Sequence, residues 1–450
     1  MAENYLVDEL AEFVIGAEAS DLTGRPRALL TRNVLDSVAC AVGSLNGELI
    51  GAIRAHTAQF GGAPTATLVG GGRASVDQAA FFNTVLVRYP DLLDTYLTVG
   101  GLCHPADFLL ALAVAYEVQC RFSAQVPVMA RGLNHALQLA MSVAAGSAKL
   151  LGLTAEQTAN AIAAAAADNV SLAGVHAEPV SHWKGISPAS TGMRAVYTTM
   201  LAARGVTGPK ALFDGPHGLV QLFGQPIDFH TADRALSCVE QTYLKRYCSL
   251  IHGQVVIDAV LALRAENGLR GEDVARVGLE VFQGAFDYAG GGAYGNKEHP
   301  RTKEQADYNL KYLSAVALLD GGVGPEQLET ERVLRTDVQD LLTRVDVTPA
   351  DDLTAGYPQR TAARVHLRTH DGREFSREQD DYEGSPTRPM SWERVVDKFW
   401  WLAGPFCERT LGDEIIAAVA RLDEIPVAAL TALLGAVSPT ARRPRSGPRF

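Results

Sequence analysis

Apolar residues recur at three- and four-residue spacing through most of residues 1–243, which is the repeat of an amphipathic helix. The repeat is clearest in five segments, ALLTRNVLDSVACAVGSL, DQAAFFNTVLVRY, ADFLLALAVAYEVQCRF, HALQLAMSVAAGSAKLLG and STGMRAVYTTMLAARG. Glycine closes several of them, as at Gly43, Gly152 and Gly205, where it can adopt the left-handed conformation that ends a helix. This half of the chain is therefore predicted to be all-helical.

The alanine-rich stretch TAEQTANAIAAAAADNVSLAGV predicts one more helix. Thr154 and Gln157 have the spacing of a capping box, in which each side chain binds the other residue's backbone N–H. Glu156, Asn160 and Asp168 interrupt the apolar run, so we interpret it as a helix buried within the protein and not as a membrane span. Its alanines should let neighbouring helices approach closely.

The pattern changes after residue 243. ARVGLEVFQGAF, TRVDVTP and RTAARVHLRTHDGREFSRE are short, partly alternating segments, and Asp371–Gly372 predicts a hairpin turn. Helical spacing returns in KEQADYNLKYLSAVALLDGG, SWERVVDKFWWLAG and TLGDEIIAAVARLDEI. We therefore predict a mainly α protein, in which residues 1–243 and 390–437 form a large all-helical domain and residues 244–389 form a smaller α+β domain. The Pro- and Arg-rich residues 438–450 are predicted to be disordered.

Composition limits the partners. The formal net charge is −11 with 20% charged residues, which argues against a nucleic-acid or anionic-membrane surface. Acids among the opening residues argue against a signal peptide, and six scattered cysteines without a C-x-x-C pair suit reduced thiols better than disulfides or structural zinc. The sequence predicts a cytoplasmic protein that must supply any positive charge for an anionic ligand locally.

A break in the helical pattern, DLLDTYLTVGGLCHPAD at residues 91–107, follows Pro90. It is predicted to be a loop between two helices that carries Asp91, Asp94, Thr95 and His104, and such loops commonly hold sites. Taken singly, Asp94 and Thr95 would fit a helix cap, and His104 a surface residue. Their grouping favours a site.

Two further segments gather polar side chains. VHAEPVSHWKGISPAS, residues 175–190, is predicted to be a loop with His176, His182 and Lys184. Lys184 could bind a carboxylate or be a solvated loop lysine. YLKRYCSLIHGQVVIDA, residues 243–259, places Lys245, Arg246 and His252 at the predicted domain junction, a common position for a ligand cleft.

Two candidates stand alone in helical segments. His135 lies at the start of a helix in ARGLNHAL, and Tyr312 lies on a helix in ADYNLKYLSA. Each also fits a structural role, as a helix start or as an aromatic anchor in a core. The phosphate-loop, nucleophile-elbow and H-E-x-x-H motifs are missing from the sequence.

Seven segments together resemble the MmgE/PrpD family, whose members include 2-methylcitrate dehydratase and cis-aconitate decarboxylase. They occur in the family's order: DLLDTYLTVGGLCHPAD, GLNHALQLAMSVAAGSAKLLGL, SHWKGISPAS, GPKALFDGPHGL, LKRYCSLIHGQVVIDA, ADYNLKYLSAVALLDG and PMSWERVVDKF. The resemblance covers nearly the whole chain. It implies a helical domain with an α+β lid, a cleft between them, a homodimer, a small polycarboxylate substrate, and no metal or organic cofactor.

The resemblance also implies the site residues. Those matched to the family's catalytic positions are Asp91, His104, Lys184, Lys245 and Tyr312, and those matched to substrate-binding positions are Thr95, His135 and His252. Leu92 and Leu93 depart from the family pattern, in which an aromatic and a polar residue are frequent. We expect this departure to reshape the pocket.

The residue types fit removal of water from a β-hydroxy acid. Abstraction of a proton beside a carboxylate places extra negative charge on that carboxylate, which Lys184 and Lys245 could stabilise. Asp91 and His104 are candidates for the acid and base, and Tyr312 could protonate the leaving hydroxyl. A cofactor-independent lyase resembling 2-methylcitrate dehydratase is the first hypothesis. Alternatives are a cis-aconitate decarboxylase-like enzyme, a related lyase or epimerase of a specialised pathway, and a non-catalytic scaffold.

Overall fold

The protein is mainly helical, as the sequence predicts, in a computed structural model that describes residues 5–98, 101–103 and 109–441. Its α-helices are α1 (Leu6–Gly16), α2 (Gly24–Gly43), α3 (Ile50–Thr57), α4 (Val76–Arg88), α5 (Leu109–Gln125), α6 (Ala136–Leu151), α7 (Ala155–Asp168), α8 (Trp183–Ala202), α9 (Leu219–Phe223), α10 (Gln254–Glu266), α11 (Gln283–Ala285), α12 (Lys303–Ala306), α13 (Leu310–Asp320), α14 (Thr330–Val333), α15 (Thr336–Leu342), α16 (Asp351–Gly356), α17 (Trp392–Ala403), α18 (Arg409–Ala420) and α19 (Val427–Gly435). Its strands are β1 (Ala66–Thr67), β2 (Arg73–Ala74), β3 (Thr95–Thr98), β4 (Gly101–Cys103), β5 (Thr242–Tyr243), β6 (Val274–Val281), β7 (Val345–Pro349), β8 (Ala363–Thr369) and β9 (Glu374–Gln379).

The predicted capping box at the start of α7 is confirmed, and α7 packs among other helices of the N-terminal half. The backbone N–H of Gln157 donates to Thr154 Oγ1 at 3.2 Å, and the N–H of Thr154 donates to Gln157 Oε1 at 3.0 Å. Helices α1, α5, α6 and α7 share one apolar core. On α6, a Cβ added to Gly146 would lie 3.1 Å from the carbonyl oxygen of Ala111 on α5, so glycine allows this close approach.

The strands predicted after residue 243 form a four-stranded sheet in the order β7-β6-β8-β9. Strand β6 runs parallel to β7 and antiparallel to β8, and β8 pairs antiparallel with β9. The hairpin at Asp371–Gly372 is confirmed, because Gly372 adopts a φ of 88° between β8 and β9. Helices α10 and α13 pack against the sheet.

One continuous core joins this sheet to helices that the sequence assigns to the other domain. Leu35 on α2, Val256 on α10, Val365 on β8 and Phe399 on α17 are fully buried members of it. The packing therefore continues across residue 244, and the predicted division into a helical domain and a lid stays a prediction. Of the predicted disordered tail, residues 438–441 are described and the rest lies outside the described residues.

Two local predictions were wrong. Residues 1–243 are not all-helical, because β1 to β5 lie among them and the predicted loop at Thr95 is strand β3, paired with β4 and β5. Strands of two to four residues are too short to give an alternating signal. Lys184 lies in the first turn of α8 instead of a loop, and α8 also contains Pro188. Packing of α8 against α4 and α6 outweighs the backbone hydrogen bond that this proline forfeits.

None of the helices within the described part of the chain combines the length and the apolar character needed to cross a bilayer. The alanine-rich α7 is instead packed against α1, α6 and α8. This agrees with its interpretation from the sequence as an internal helix.

Candidate active site

Asp91 begins the site, immediately beyond the end of α4. Its φ is 48°, and its backbone N–H donates to the carbonyl oxygen of Arg88 at 3.2 Å. Aspartate tolerates this left-handed conformation better than most residues, and residues held there cluster at functional sites. The turn directs the Asp91 side chain into the protein, where it is 3% exposed.

Two buried lysines converge on the Asp91 carboxylate. Lys184 Nζ donates to Asp91 Oδ2 at 2.7 Å, and Lys245 Nζ donates to Asp91 Oδ1 at 2.5 Å. Both side chains are 2% exposed. The three residues that the sequence predicts from separate segments therefore form one hydrogen-bonded group.

A small sheet and a third lysine bring these segments together. Thr95 on β3 pairs with Tyr243 on β5, which places the chain that follows Tyr243 beside the chain that precedes Thr95. Lys398 on α17 then donates to the carbonyl oxygens of Leu92 at 3.2 Å and Lys245 at 2.8 Å. Its Nζ also lies 2.6 Å from Asp36 Oδ1 on α2. Lys398 thus ties the backbone segments of Asp91 and Lys245 to each other.

Asp307 provides a second buried carboxylate, between α12 and α13. It accepts from Lys184 Nζ at 2.7 Å and from Lys303 Nζ at 2.9 Å. The next residue, Tyr308, places its ring 3.7 Å from Lys184 Nζ, a cation–π contact. Lys184 is therefore held by two carboxylates and one aromatic face.

The electrostatics keep Asp91 ionised. Burial opposes its ionisation, but Lys184, Lys245 and Arg88 outweigh burial and hold the pKa of Asp91 well below its usual range. Burial, opposed by Asp91, lowers the pKa of Lys245 from its usual value. The pairing favours the charged form of both residues. The geometry therefore supports an ionised carboxylate between ammonium groups.

Positive charge is in excess around the two carboxylates. The cations within ion-pair distance of Asp91 or Asp307 are Arg88, Lys184, Lys245 and Lys303. Four cations facing two carboxylates leave two uncompensated positive charges. Glu304 offsets some of this at the edge, where it lies 3.7 Å from His182. A site of this kind favours an anionic ligand.

Three buried histidines stand beside this group and are neutral at pH 7. Burial, reinforced by nearby cations, lowers the pKa of His135 and of His252 to about 3, and lowers the pKa of His176 well below its usual value. The His176 ring stacks on Tyr308 with ring centroids 5.6 Å apart. His252 packs edge-on against Phe282 at 5.0 Å. Neutral imidazoles can accept protons once a bound anion offsets the cations.

The group borders a narrow crevice of about 10 Å³, lined by Arg88, Asp91, Lys184 and Lys303 among others. This volume holds about one water molecule. A tricarboxylate does not fit in it. Binding of such an acid therefore requires the crevice to widen.

Only some of the predicted site residues contact one another. Asp91, Lys184 and Lys245 meet directly, whereas Thr95 lies on β3 with its hydroxyl buried and without a hydrogen-bond partner among the described residues. Tyr312 is held elsewhere, because its hydroxyl donates to the carbonyl oxygen of Gln327. His104 lies outside the described residues, and its role stays a prediction.

Several residues of the site were not predicted from the sequence. Arg88, Lys303, Asp307 and Tyr308 belong to the site, although the last two lie within the quoted ADYNLKYLSA segment. Leu92 and Leu93, the departure expected to reshape the pocket, are both buried in the apolar core, and their effect on the pocket stays a prediction. The break between α12 and α13 turns Asp307 and Tyr308 toward Lys184, and no periodicity in the sequence indicates that break.

The lowered pKa of His252 gives a testable pH dependence of stability. As pH falls through 6.5, the unfolded chain takes up a proton at this residue, whereas the folded chain does so only near the folded pKa of about 3. Stability is therefore lost between these values as pH falls. From pH 7.5 to 5.0, we expect urea unfolding to show the wild-type protein losing about 2 kcal/mol more than His252→Asn. Parallel pH profiles of the two proteins would contradict the assignment.

Groups of three or more histidine, cysteine or acidic side chains arranged to hold a metal ion do not occur among the described residues. The site's polar atoms are mostly ammonium and guanidinium donors, which bind carboxylates and not cations.

Comparison with known proteins agrees with this chemistry. The MmgE/PrpD N-terminal domain matches residues 8–107 and 101–232, and the MmgE/PrpD C-terminal domain matches residues 247–424. Cis-aconitate decarboxylase of Mus musculus is 23% identical over 93% of this chain and 91% of that protein, and the Homo sapiens enzyme is 24% identical over 96% and 95%. The 2-methylcitrate dehydratase of Escherichia coli (strain K12) is 24% identical over 88% of this chain and 90% of that protein. Dehydratases and decarboxylases are both lyases, so these matches identify the chain as an enzyme of that class. With domain models matched along both halves, the chain belongs to the MmgE/PrpD family.

Proposed function

We propose that this protein is a cofactor-independent lyase that removes water from a small polycarboxylate of the 2-methylcitrate type. The observation that carries the proposal is the buried Asp91 carboxylate between Lys184 and Lys245, within a group that has more positive than negative charge. A polycarboxylate would supply the missing negative charge. Relatives named 2-methylcitrate dehydratase support the choice of substrate.

The reaction needs positive charge where negative charge develops. A base removes the proton from the carbon beside a carboxylate, and the electron pair first enriches that carboxylate. The electron pair then forms the double bond as the neighbouring C–O bond breaks. The hydroxyl takes a proton from an acid and leaves as water. Lys184 and Lys245 stabilise the enriched carboxylate, which is most effective in a dry site.

The pKa of Asp91 argues against this residue as the base. The pKa of Asp91 is held well below its usual range by the two lysines and Arg88 despite burial, which makes Asp91 a weak base. We assign Asp91 the role of holding the lysines, and we propose proton abstraction by His104, the other member of the predicted acid–base pair. Tyr308, which contacts Lys184, is our candidate for the acid.

Decarboxylation of an aconitate-like acid is the second candidate. Its support is the match to the human and mouse cis-aconitate decarboxylases, which covers 96% and 93% of this chain. In that reaction a C–C bond breaks, carbon dioxide leaves, and the carbon left behind takes a proton. The same lysines could hold the remaining carboxylates.

Other expectations from the sequence remain open to simple tests. A homodimer predicts twice the 48.0 kDa chain mass in light scattering, and cytoplasmic location stays a prediction. A related lyase or epimerase would act on another acid. A non-catalytic scaffold would keep partner binding after Lys184 is replaced.

The proposal is tested by turnover. Purified protein, dialysed against EDTA, is incubated with 2-methylcitrate, citrate and cis-aconitate, and the products are followed by NMR and by release of carbon dioxide. We expect an alkene from 2-methylcitrate without carbon dioxide, at a rate that added divalent metal changes less than twofold. Carbon dioxide from cis-aconitate would establish the second candidate. Absence of product from all three acids would reject the substrate class.

Two tyrosine variants compare Tyr308, the acid proposed here, with Tyr312, the acid suggested from the sequence. Because the Tyr312 hydroxyl is bound to the Gln327 carbonyl, Tyr312→Phe should cost about 1 kcal/mol of stability and leave kcat within about threefold. Tyr308→Phe keeps the ring beneath Lys184 but removes the proposed acid, so kcat should fall about a hundredfold. The reverse order of the two kcat values would restore Tyr312 as the acid.

A further inference from the structure

Arg88, the last residue of α4, is a buried cation whose donors are largely unused. The residue is 4% exposed, and its Nε and Nη1 have no hydrogen-bond acceptor among the described residues. Its nearest carboxylate oxygen is Asp91 Oδ1, 3.9 Å from Nη1. That distance is too long for a hydrogen bond, and the same oxygen already accepts from Lys245 at 2.5 Å.

A guanidinium in this position is costly without a ligand. Burial removes its water, and leaving donors of a charged group unsatisfied adds a further penalty. Asp91 offsets only part of this cost, because its nearest oxygen lies 3.9 Å from Arg88 Nη1, beyond hydrogen-bond distance. Arg88 also lines the crevice beside Lys184 and Lys303, so its free donors border the space that a ligand would enter.

We propose that Arg88 binds one carboxylate of the substrate through two parallel hydrogen bonds and forms a subsite separate from the lysine pair. This inference rests on the proposed function, since it assigns Arg88 a carboxylate other than the one beside the reacting carbon. The planar fork of a guanidinium matches a carboxylate, whereas a lysine offers a single point of attachment. The subsite therefore selects an acid with a second carboxylate at a fixed spacing.

The surroundings of Arg88 fit an anion at that place. Its positive charge contributes, after burial, to the lowered pKa of His135 and of His176. An anion on Arg88 would offset that charge and raise both pKa values toward the range useful for proton transfer. Binding at the subsite would thus couple to the protonation of the neighbouring histidines.

The test uses propane-1,2,3-tricarboxylate, which carries three carboxylates and has no hydroxyl to eliminate. Its affinity is measured by titration calorimetry for the wild-type protein, Arg88→Lys, Arg88→Gln and Arg246→Gln. Arg246 is the matched control, because it is an arginine of the Lys245 segment that pairs with Asp258 at 3.0 Å. We expect Arg88→Gln to bind at least about thirtyfold more weakly, Arg88→Lys about tenfold more weakly, and Arg246→Gln within twofold of wild type.

Arg88→Lys keeps the charge and guards against the case in which Arg88→Gln fails to fold, which thermal unfolding would show. Affinity within threefold of wild type in either folded Arg88 variant would overturn the subsite, as would a wild-type protein that does not bind this acid. Arg88-dependent binding without turnover of the three candidate substrates would reject the proposed reaction and retain the subsite. Turnover by Arg88→Gln with an unchanged KM would retain the proposed reaction and reject the subsite.

Discussion

Lys184→Met should lower kcat/KM about a thousandfold while leaving the protein folded. In the proposed reaction, the Lys184 ammonium faces the charge that develops on the substrate, and loss of one such group costs on the order of a hundred- to a thousandfold. Folding should survive, because Asp91 keeps Lys245 and Asp307 keeps Lys303 as partners. Methionine also retains most of the side-chain volume. Steady-state kinetics with the acid that the enzyme turns over, together with urea unfolding, measures both effects.

Lys210→Met is the control for that experiment. Its ammonium pairs with Asp8 and Glu156 in a half-buried position on the helical body, and its loss should leave kcat/KM within twofold. A Lys184→Met enzyme with near-normal kcat/KM would remove this lysine from the mechanism. Equal losses in the two variants would show a non-specific effect of charge.

Lys398→Met should lower the free energy of unfolding by about 3 to 5 kcal/mol, measured by urea unfolding at neutral pH. The replacement leaves Asp36 buried without its cation and releases the carbonyl oxygens of Leu92 and Lys245. Burial already raises the pKa of Asp36 against the opposing effect of Lys398. Without Lys398 the folded protein would bind a proton there more tightly, so its stability should recover as pH falls.

Asp36→Asn combined with Lys398→Met checks the cause. If the cost comes from an unpaired carboxylate, the double variant should be more stable than Lys398→Met alone, because no charge is left buried. Lys210→Met, which removes the half-buried lysine that pairs with Asp8 and Glu156, should change stability by less than about 1 kcal/mol. A double variant that loses the sum of both single effects would contradict a paired Asp36 and Lys398.

The helices were predictable because their apolar repeat extends over many residues. Segments such as α2, with 20 residues, and α5, with 17 residues, contain several turns of apolar spacing. The Asp371–Gly372 hairpin had a turn signal of its own. Strands β3 and β5 have four and two residues, and their pairing depends on contacts distant in sequence that no local pattern reveals.

The site was predictable in part, because polar segments marked candidate residues and the family resemblance joined them into one site. Asp91 lies 93 residues from Lys184 and 154 residues from Lys245, and no spacing rule joins such positions. Tyr312 was selected from its segment by resemblance, whereas the break before α13 brings Tyr308 to Lys184. Asp94 is not a helix cap, because it accepts from Tyr116 at 2.5 Å and from Asn33 at 3.1 Å in the interior. Burial raises its pKa to about 7.

A crystal structure with propane-1,2,3-tricarboxylate bound tests the central claim most directly, because it shows which cations hold which carboxylates. The account predicts one carboxylate on Arg88 and another between Lys184 and Lys245, with at least one of these lysines withdrawn from Asp91. A ligand bound away from this group, with both lysines still paired to Asp91, would contradict it.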